Sequence, residues 1–243
     1  MKELIRKFLQ RFGYDIVKYN RPFVPGEISR ESVEQELKWL KAYQFAAVVD
    51  IGANDGQFSE KMRLLLPDAF IYAFEPIPQS FQQLQQHFRN DNKFKAFNVA
   101  LGETAGELQL FQNEYTPSSS LLPMADAHIS NFDTAVKTQQ ISVKIEQLDA
   151  VLDTAALQQP LLVKIDVQGY EDKVINGGGH VLKQATMIIC ELSFVELYKG
   201  QLLFADIVEK LKQLGFRYAG SLEQLRSPET NQVLQADGIF VRQ

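Results

Sequence analysis

One cysteine, Cys190, stands in a chain of 243 residues. It has no intrachain partner for a disulfide, and without a CxxC or Cys/His cluster a structural zinc site falls as well. A reducing compartment is the expectation. Uninterrupted apolar stretches are short, such as Phe45-Ala46-Ala47-Val48-Val49 and Met187-Ile188-Ile189-Cys190, well under the roughly 20 residues that span a bilayer. Glu3, Arg6, Lys7 and Arg11 interrupt any apolar region at the N-terminus, so it does not read as a secretory signal, and the expected address is the cytoplasm. Basic charge is also scarce. Twenty-five Lys and Arg against 30 Asp and Glu leave a net charge of -5, which argues against nucleic acid as a partner. Internal repeats and Pro/Gly/Ser linkers are missing too.

What is present is core-forming material: 45% of the residues are hydrophobic and 11% aromatic, enough to build one large domain without covalent staples. Residues 1–19 depart from the average, with a net charge of +3 that leaves -8 for the remainder. Leu4, Ile5, Phe8, Leu9 and Phe12 recur at helical spacing. The expectation is a helix packed on the domain or on the partner of a homodimer, with peripheral membrane contact as the alternative. A second helix is expected from Ser29 or Ser32 to Tyr43, Ser32 and Gln35 having capping-box spacing. Residues 1–44 are thus expected to form an N-terminal helical extension.

From residue 45 to 243 the pattern alternates strand and helix. Strands are expected at Phe45–Ile51, Phe70–Glu75, Phe94–Val99, Leu161–Asp166, Thr186–Glu191, Phe216–Ala219 and Gly238–Val241, with helices at about 57–66, 78–88, 170 onward and 204–214. Leu108–Phe111 and Ile141–Ile145 read as further strands around a long polar loop, roughly 114–138, expected to be functional or mobile. Repeated βα units imply a mostly parallel sheet with helices on both faces and a ligand crevice at the carboxyl ends of the strands. Four of those ends carry acids: Asp50, Glu75, Asp166 and Glu191.

The segment Val48-Val49-Asp50-Ile51-Gly52-Ala53-Asn54-Asp55-Gly56 supplies glycines for a tight strand-to-helix turn, but their GxxxG spacing is not the GxGxxG phosphate fingerprint. Asp50 and Asp55 would repel a pyrophosphate and favour a cationic ligand, which suits S-adenosylmethionine. Glu75 lies where an acid accepts both ribose hydroxyls, with Pro76 and Ile77 flanking the adenine.

These segments, with Ala-Phe-Glu-Pro (73–76), Asn-Val-Ala-Leu-Gly (98–102), Ser-Ser-Ser-Leu-Leu (118–122), Lys-Ile-Asp-Val-Gln-Gly-Tyr-Glu (164–171) and Ala-Asp-Gly-Ile-Phe-Val (236–241), resemble the FkbM family of S-adenosylmethionine-dependent methyltransferases. The resemblance runs in order from about residue 45 to the C-terminus, and Gln168 stands where the family often has Glu. It implies a Rossmann-like sheet of seven strands, the last antiparallel, and methyl transfer to a hydroxyl of a sugar, glycan or polyketide-type product. By the resemblance Asp50, Gly52, Asn54 and Gly56 would hold the methionine part, Glu75 the ribose, Asn98, Val99 and Ala100 the adenine edge, and Asp166 would lie beside the sulfonium; Ala53 and Asp55, within the same turn, are expected to contact the cofactor too.

Lys164 and Asp166 share one face of their strand. A lysine among apolar neighbours needs a partner, expected to be Asp166, Glu191 or Asp50, and reads as an architectural ion pair rather than a catalytic group. The base for the acceptor hydroxyl is expected to be Asp166 or Glu191, with His128 behind them; His87 and His180 read as surface residues. A metal-free site is expected, with Mg²⁺ held by Asp166 and Glu191 as the alternative. Tyr115, Ser118, Ser119, Ser120, Gln168 and Glu171 are the expected contacts to a hydroxylated acceptor, although Glu171 is equally explained by a helix start. An NAD-dependent oxidoreductase shares the fold and the ribose acid, and a noncatalytic binding module would keep the cofactor site.

Overall fold

Apolar runs on both faces of a chain segment can be buried only between two layers, and four such runs become the centre of the sheet. The computed structural model describes residues 28–132 and 138–243. Strands β1 (Ala47–Ile51), β2 (Phe70–Phe74) and β3 (Phe94–Phe97) are followed by the short β4 (Ala100–Leu101), the long β5 (Gly106–Asn113) and β6 (Thr138–Glu146), and then by β7 (Leu161–Ile165), β8 (Met187–Ser193), β9 (Phe216–Arg226) and β10 (Val233–Arg242). Seven of these form one sheet in the order β3-β2-β1-β7-β8-β10-β9. The pairs among β3, β2, β1, β7 and β8 are parallel. β10, last in the chain, runs antiparallel between β8 and β9. This is the expected seven-stranded, mostly parallel sheet with the last strand reversed. β4, β6 and β5 make a separate three-stranded sheet that carries the irregular middle of the chain.

Side chains alternate between the two helical layers as period two requires. Ala47, Val49, Ile51, Leu161, Val163 and Ile165 pack with Val174, Val181, Leu182, Ile207 and Leu211, which come from α6 (Glu171–Gly177), α7 (Gly179–Gln184) and α8 (Phe204–Gln213). Val48, Ile71, Leu162, Met187 and Ile189 face the opposite layer with Met62 and Leu65 of α2 (Gln57–Leu65). The same cluster holds Val33, Leu37 and Leu40, carried by α1 (Arg30–Leu37) and a 3₁₀ turn over Lys38–Tyr43. Ser29 caps α1: its Oγ accepts from the Ser32 amide at 3.1 Å, so Ser32 is inside the helix and not its cap. The helix expected within residues 1–19 lies outside the described residues.

Pro78 opens α3 (Pro78–His87), as its fixed φ and missing N–H favour at a first helical position. The described part of the segment expected to be a long polar loop, residues 114–132, is docked. It holds a 3₁₀ turn at Thr116–Ser118 and α4 (Asp126–Asn131), and Met124 bridges to Tyr198. Leu122, Met124, Ala127 and Phe132 cover Leu197, Tyr198 and Leu234. Local periodicity does not reveal this packing, because its partners lie about 70 residues away. Among the described residues no helix is long and apolar enough to cross a membrane.

Candidate functional site

The strand ends do converge. A cavity of about 180 Å³ opens where β1, β2 and β7 finish, lined by Asp50, Gly52, Ala53, Asn54, Glu75, Pro76, Ile77, Val99, Ala100, Asp166 and Gln168, with Ser119 and Ser120 from the docked segment. Lys164, Gln57, Phe58, Thr116, Pro117 and Leu121 also contribute. Gln57 and Phe58 open α2, and Thr116 donates to the Asn54 side chain at 3.1 Å.

Backbone contacts set the floor. Gly52, at φ +83, brings the β1–α2 turn so close to the β7 end that a Cβ would lie 1.8 Å from the Asp166 carbonyl oxygen. The Gly52 and Ala53 amides donate to Phe74 O at 3.0 and 2.9 Å, which ties the same turn to β2. Gly56 acts elsewhere. A Cβ there would meet Leu84 and Phe88 of the α3 region at 2.8 Å, so this glycine serves helix packing and does not line the cavity.

Glu75 is 4% exposed. Its Oε1 accepts from the Ile77 amide at 2.7 Å and its Oε2 from the Asn54 amide at 2.9 Å, so both oxygens are fixed by backbone and each keeps a lone pair. Asn98 stands behind this turn, donating to the carbonyls of Glu75 and Pro76 at 2.8 and 3.0 Å. Asp50, equally buried, accepts from Ser59 Oγ of α2 at 2.6 Å. Burial pushes Asp50 up to about 6, against the lowering by Ser59 and Lys164, and Glu75 up to about 7, against the two backbone donors.

On the other wall, Lys164 is 2.6 Å from Asp237 and 3.3 Å from Asp166. Asp166 was among its expected partners; Asp237, the nearer, was not. Asp237 sits on β10 directly across from Glu191 of β8, a register invisible until β10 is known to insert beside β8. Burial disfavours the ammonium, but Asp166 and Asp237 outweigh it and hold Lys164 above the ordinary lysine range. Asp166 follows the end of β7 as expected, but β8 continues to Ser193, so Glu191 lies inside the neighbouring strand and not at its end; the two are joined through Gln168, whose Nε2 lies 2.9 Å from Asp166 Oδ1 and 2.9 and 3.0 Å from the Glu191 oxygens. Among the described residues no group of three or more His, Cys, Asp or Glu side chains is arranged for a metal.

Other expected contacts lie elsewhere. Glu171 staples its own turn, accepting from the Val167 and Gly169 amides at 3.1 Å, and burial raises it to about 7. Ser118 donates to Tyr115 O, and Tyr115 is 58% exposed. Asp55 does not line the cavity; its Oδ1 is buried without a hydrogen bond. His128 is buried against Phe132 and Tyr198. His180 pairs with Asp149 at the surface. Beside the cavity, and sharing Thr116 with it, runs an open groove of about 430 Å³ lined by Gln79, Gln112, Asn113, Glu114, Thr138 and Gln139.

A family model described as the Methyltransferase FkbM domain matches residues 50–218. The chain belongs to the FkbM methyltransferase family. It is therefore a methyltransferase. The 2-O-methyltransferase NoeI of Sinorhizobium fredii is 30% identical over 171 residues, covering 68% of this chain and 70% of that protein. The hexuronic acid methyltransferase AglP of Haloferax volcanii is 25% identical over 164 residues, 67% of this chain and 58% of that protein. The crystal structure of Methyltransferase FkbM from Methylobacillus flagellatus KT is similar in fold, with a TM-score of 0.50 at 12% identity over 82% of this chain and 44% of that chain.

FkbM membership implies S-adenosylmethionine, and the donor set fits it. Three carboxyl groups, Asp50, Glu75 and Asp166, line the cavity, and its cation Lys164 is already paired. Such a lining favours an ammonium, a sulfonium and a ribose diol and repels phosphate.

The buried acids give this FkbM protein a defined pH response. Asp50, Glu75 and Glu171 bind protons more tightly folded than unfolded, where carboxyls ionise near 4. Their contribution is complete below about 4 and lost as pH rises through 6 to 7. Without cofactor, the thermal midpoint is expected to fall between pH 5 and pH 8; a midpoint that rises over that window contradicts the assignment.

Proposed function

We propose that the protein is an S-adenosylmethionine-dependent O-methyltransferase acting on a hydroxyl of a sugar, glycan or polyketide-type acceptor. The observation that carries this reading is the acidic cavity at the strand ends, with Glu75 held by two backbone amides so that both oxygens can still accept. An NAD pyrophosphate would meet carboxylates there and no free cation among the lining residues.

When bound, S-adenosylmethionine supplies an electrophilic methyl group. Glu75 would accept the ribose hydroxyls, Pro76, Ile77, Val99 and Ala100 would enclose the adenine, and Asp50 with the Gly52–Asn54 turn would receive the methionine part. Asp166 would hold the sulfonium side. The Asp166–Glu191 pair would take the proton of the acceptor hydroxyl, and Ser119 and Ser120 of the docked segment would hold that hydroxyl in the cavity. The adjoining groove supports a polyhydroxylated acceptor, because most of its lining is neutral amide and hydroxyl groups that match sugar hydroxyls in both hydrogen-bonding senses. The names of the NoeI and AglP relatives agree with this class.

Calorimetry with S-adenosylhomocysteine tests the cofactor half. Glu75→Ala is expected to weaken binding by about 1–3 kcal/mol. The wild-type affinity is expected to fall as pH drops through about 7, since a protonated Glu75 gives up one of its acceptor sites. A folded wild-type protein that binds neither S-adenosylmethionine nor S-adenosylhomocysteine rules the reading out. A mass-spectrometric screen of hydroxylated acceptors tests the other half.

A further inference from the structure

Gln168 occupies the left-handed region at φ +56, a conformation uncommon for a residue with a long side chain. The surroundings enforce it. Its carbonyl accepts from Ser120 Oγ at 2.6 Å, and the Gly169 that follows lies so near Tyr198 that a Cβ would approach that residue's Cβ to 3.0 Å. The outcome is an amide delivered between two carboxyl groups. Its nitrogen reaches Asp166 and both oxygens of Glu191, while its oxygen accepts from the Tyr198 hydroxyl at 2.7 Å. Ionised carboxyls only accept, so the nitrogen must face them and the oxygen must find a donor.

Tyr198 is that donor. It is fully buried, and its hydroxyl also lies 3.1 Å from the Ser118 carbonyl. Burial, then the acids Glu191, Asp166 and Glu171, keep the phenol protonated and able to donate.

We infer that Gln168, oriented by Tyr198, is a positioning residue that bridges the carboxyl groups of Asp166 and Glu191 beside the cavity and so sets the ionisation of Glu191. The inference rests on the proposed reading in which that pair receives the acceptor proton. Charged and titratable groups surround the pair from every side: Lys164 and Asp50 from β7 and β1, Glu171 from α6, Asp237 from β10, and Cys190 on β8 itself. Burial, then Asp166 and Glu171, push Glu191 well up, and Lys164 opposes them. The N–H donors of Gln168 act on Glu191 in the same sense as Lys164, favouring its ionised form.

The test uses full-length protein labelled with carbon-13 at the Asp and Glu carboxyls, titrated by NMR without cofactor, with Asp166→Asn and Glu191→Gln assigning the signals. Gln168→Glu replaces the donor amide by a third carboxyl, and the Glu191 ionisation is expected to move upward by about one pH unit or more. Tyr198→Phe keeps the ring and removes only the oxygen that fixes the amide, so a smaller shift in the same direction is expected. In a Gln168→Leu background Tyr198→Phe is expected to add nothing, because the path through the amide is gone. An unchanged titration in both Gln168→Glu and Tyr198→Phe overturns the inference, as does a Tyr198→Phe shift that persists in full in the Gln168→Leu background. The underlying reading fails by a different result: Asp166→Asn and Glu191→Gln both transferring methyl at the wild-type rate to the acceptor found by screening.

Discussion

Gly52→Ala is expected to lower the thermal midpoint by about 5–15 °C and to remove measurable binding of S-adenosylhomocysteine. Two costs act at once. At φ +83 an alanine is strained whatever space it has, and its Cβ would stand 1.8 Å from the Asp166 carbonyl oxygen, which is backbone and cannot rotate away. Together these amount to about 2–5 kcal/mol. The displacement falls on the floor of the cavity, because the Asp166 amide donates to Ile51 O at 3.0 Å and Gly52 is the next residue. Pushing the two turns apart separates Asp50 from Asp166. Gly179→Ala is the control: nothing lies within 4 Å of a Cβ there, and a helical position tolerates or gains from alanine. A Gly52→Ala protein with wild-type midpoint and affinity would show that the two turns need not touch.

The contrast between those glycines marks where sequence reading succeeds. Gly52 was legible because a glycine that follows an apolar run and an acid announces a strand-to-helix turn, and the turn's chemistry is local. Glu75 was legible for the same reason, as were the sheet and its helices, whose apolar runs and helical periods persist over whole elements. Gly56 was read as part of the same ligand turn, but it packs against Leu84 and Phe88; a spacing motif does not separate a glycine that meets a ligand from one that meets a helix. Tyr198 went unnoticed altogether. It follows β8 in a segment with no periodicity, and its importance comes from Gln168 and Ser118, 30 and 80 residues away in the chain. The docked segment around α4 escaped by the same route, since its apolar residues are scattered and their partners remote. Asp237 was visible inside the Ala-Asp-Gly-Ile-Phe-Val stretch, but its role depends on β10 lying beside β8, which composition and period do not encode.

That register makes Lys164→Met the second large effect. Lys164 has a side chain 5% exposed and a methionine would fill its volume, so the loss is electrostatic and not a cavity. Asp237 at 2.6 Å and Asp166 at 3.3 Å would lose their cation, with Asp50 and Glu191 also within its field. Breaking a buried pair by removing one partner costs about 3–5 kcal/mol. The sign with pH follows from who keeps a charge. In the variant the orphaned carboxyls bind protons more tightly in the folded state than in the unfolded chain, so the deficit is smallest near pH 5 and grows toward pH 8. Removing the second partner should restore part of the loss: Lys164→Met with Asp237→Asn is expected to be more stable than Lys164→Met alone, because the carboxyl nearest the lost ammonium is then neutral and one uncompensated charge fewer is buried. Urea unfolding at the two pH values for the wild type, the single variant and the double variant decides the matter. Equal losses at both pH values, or a double variant weaker than the single one, would mean that Lys164 contributes through packing and that the acids around the cavity do not depend on it for their charge balance.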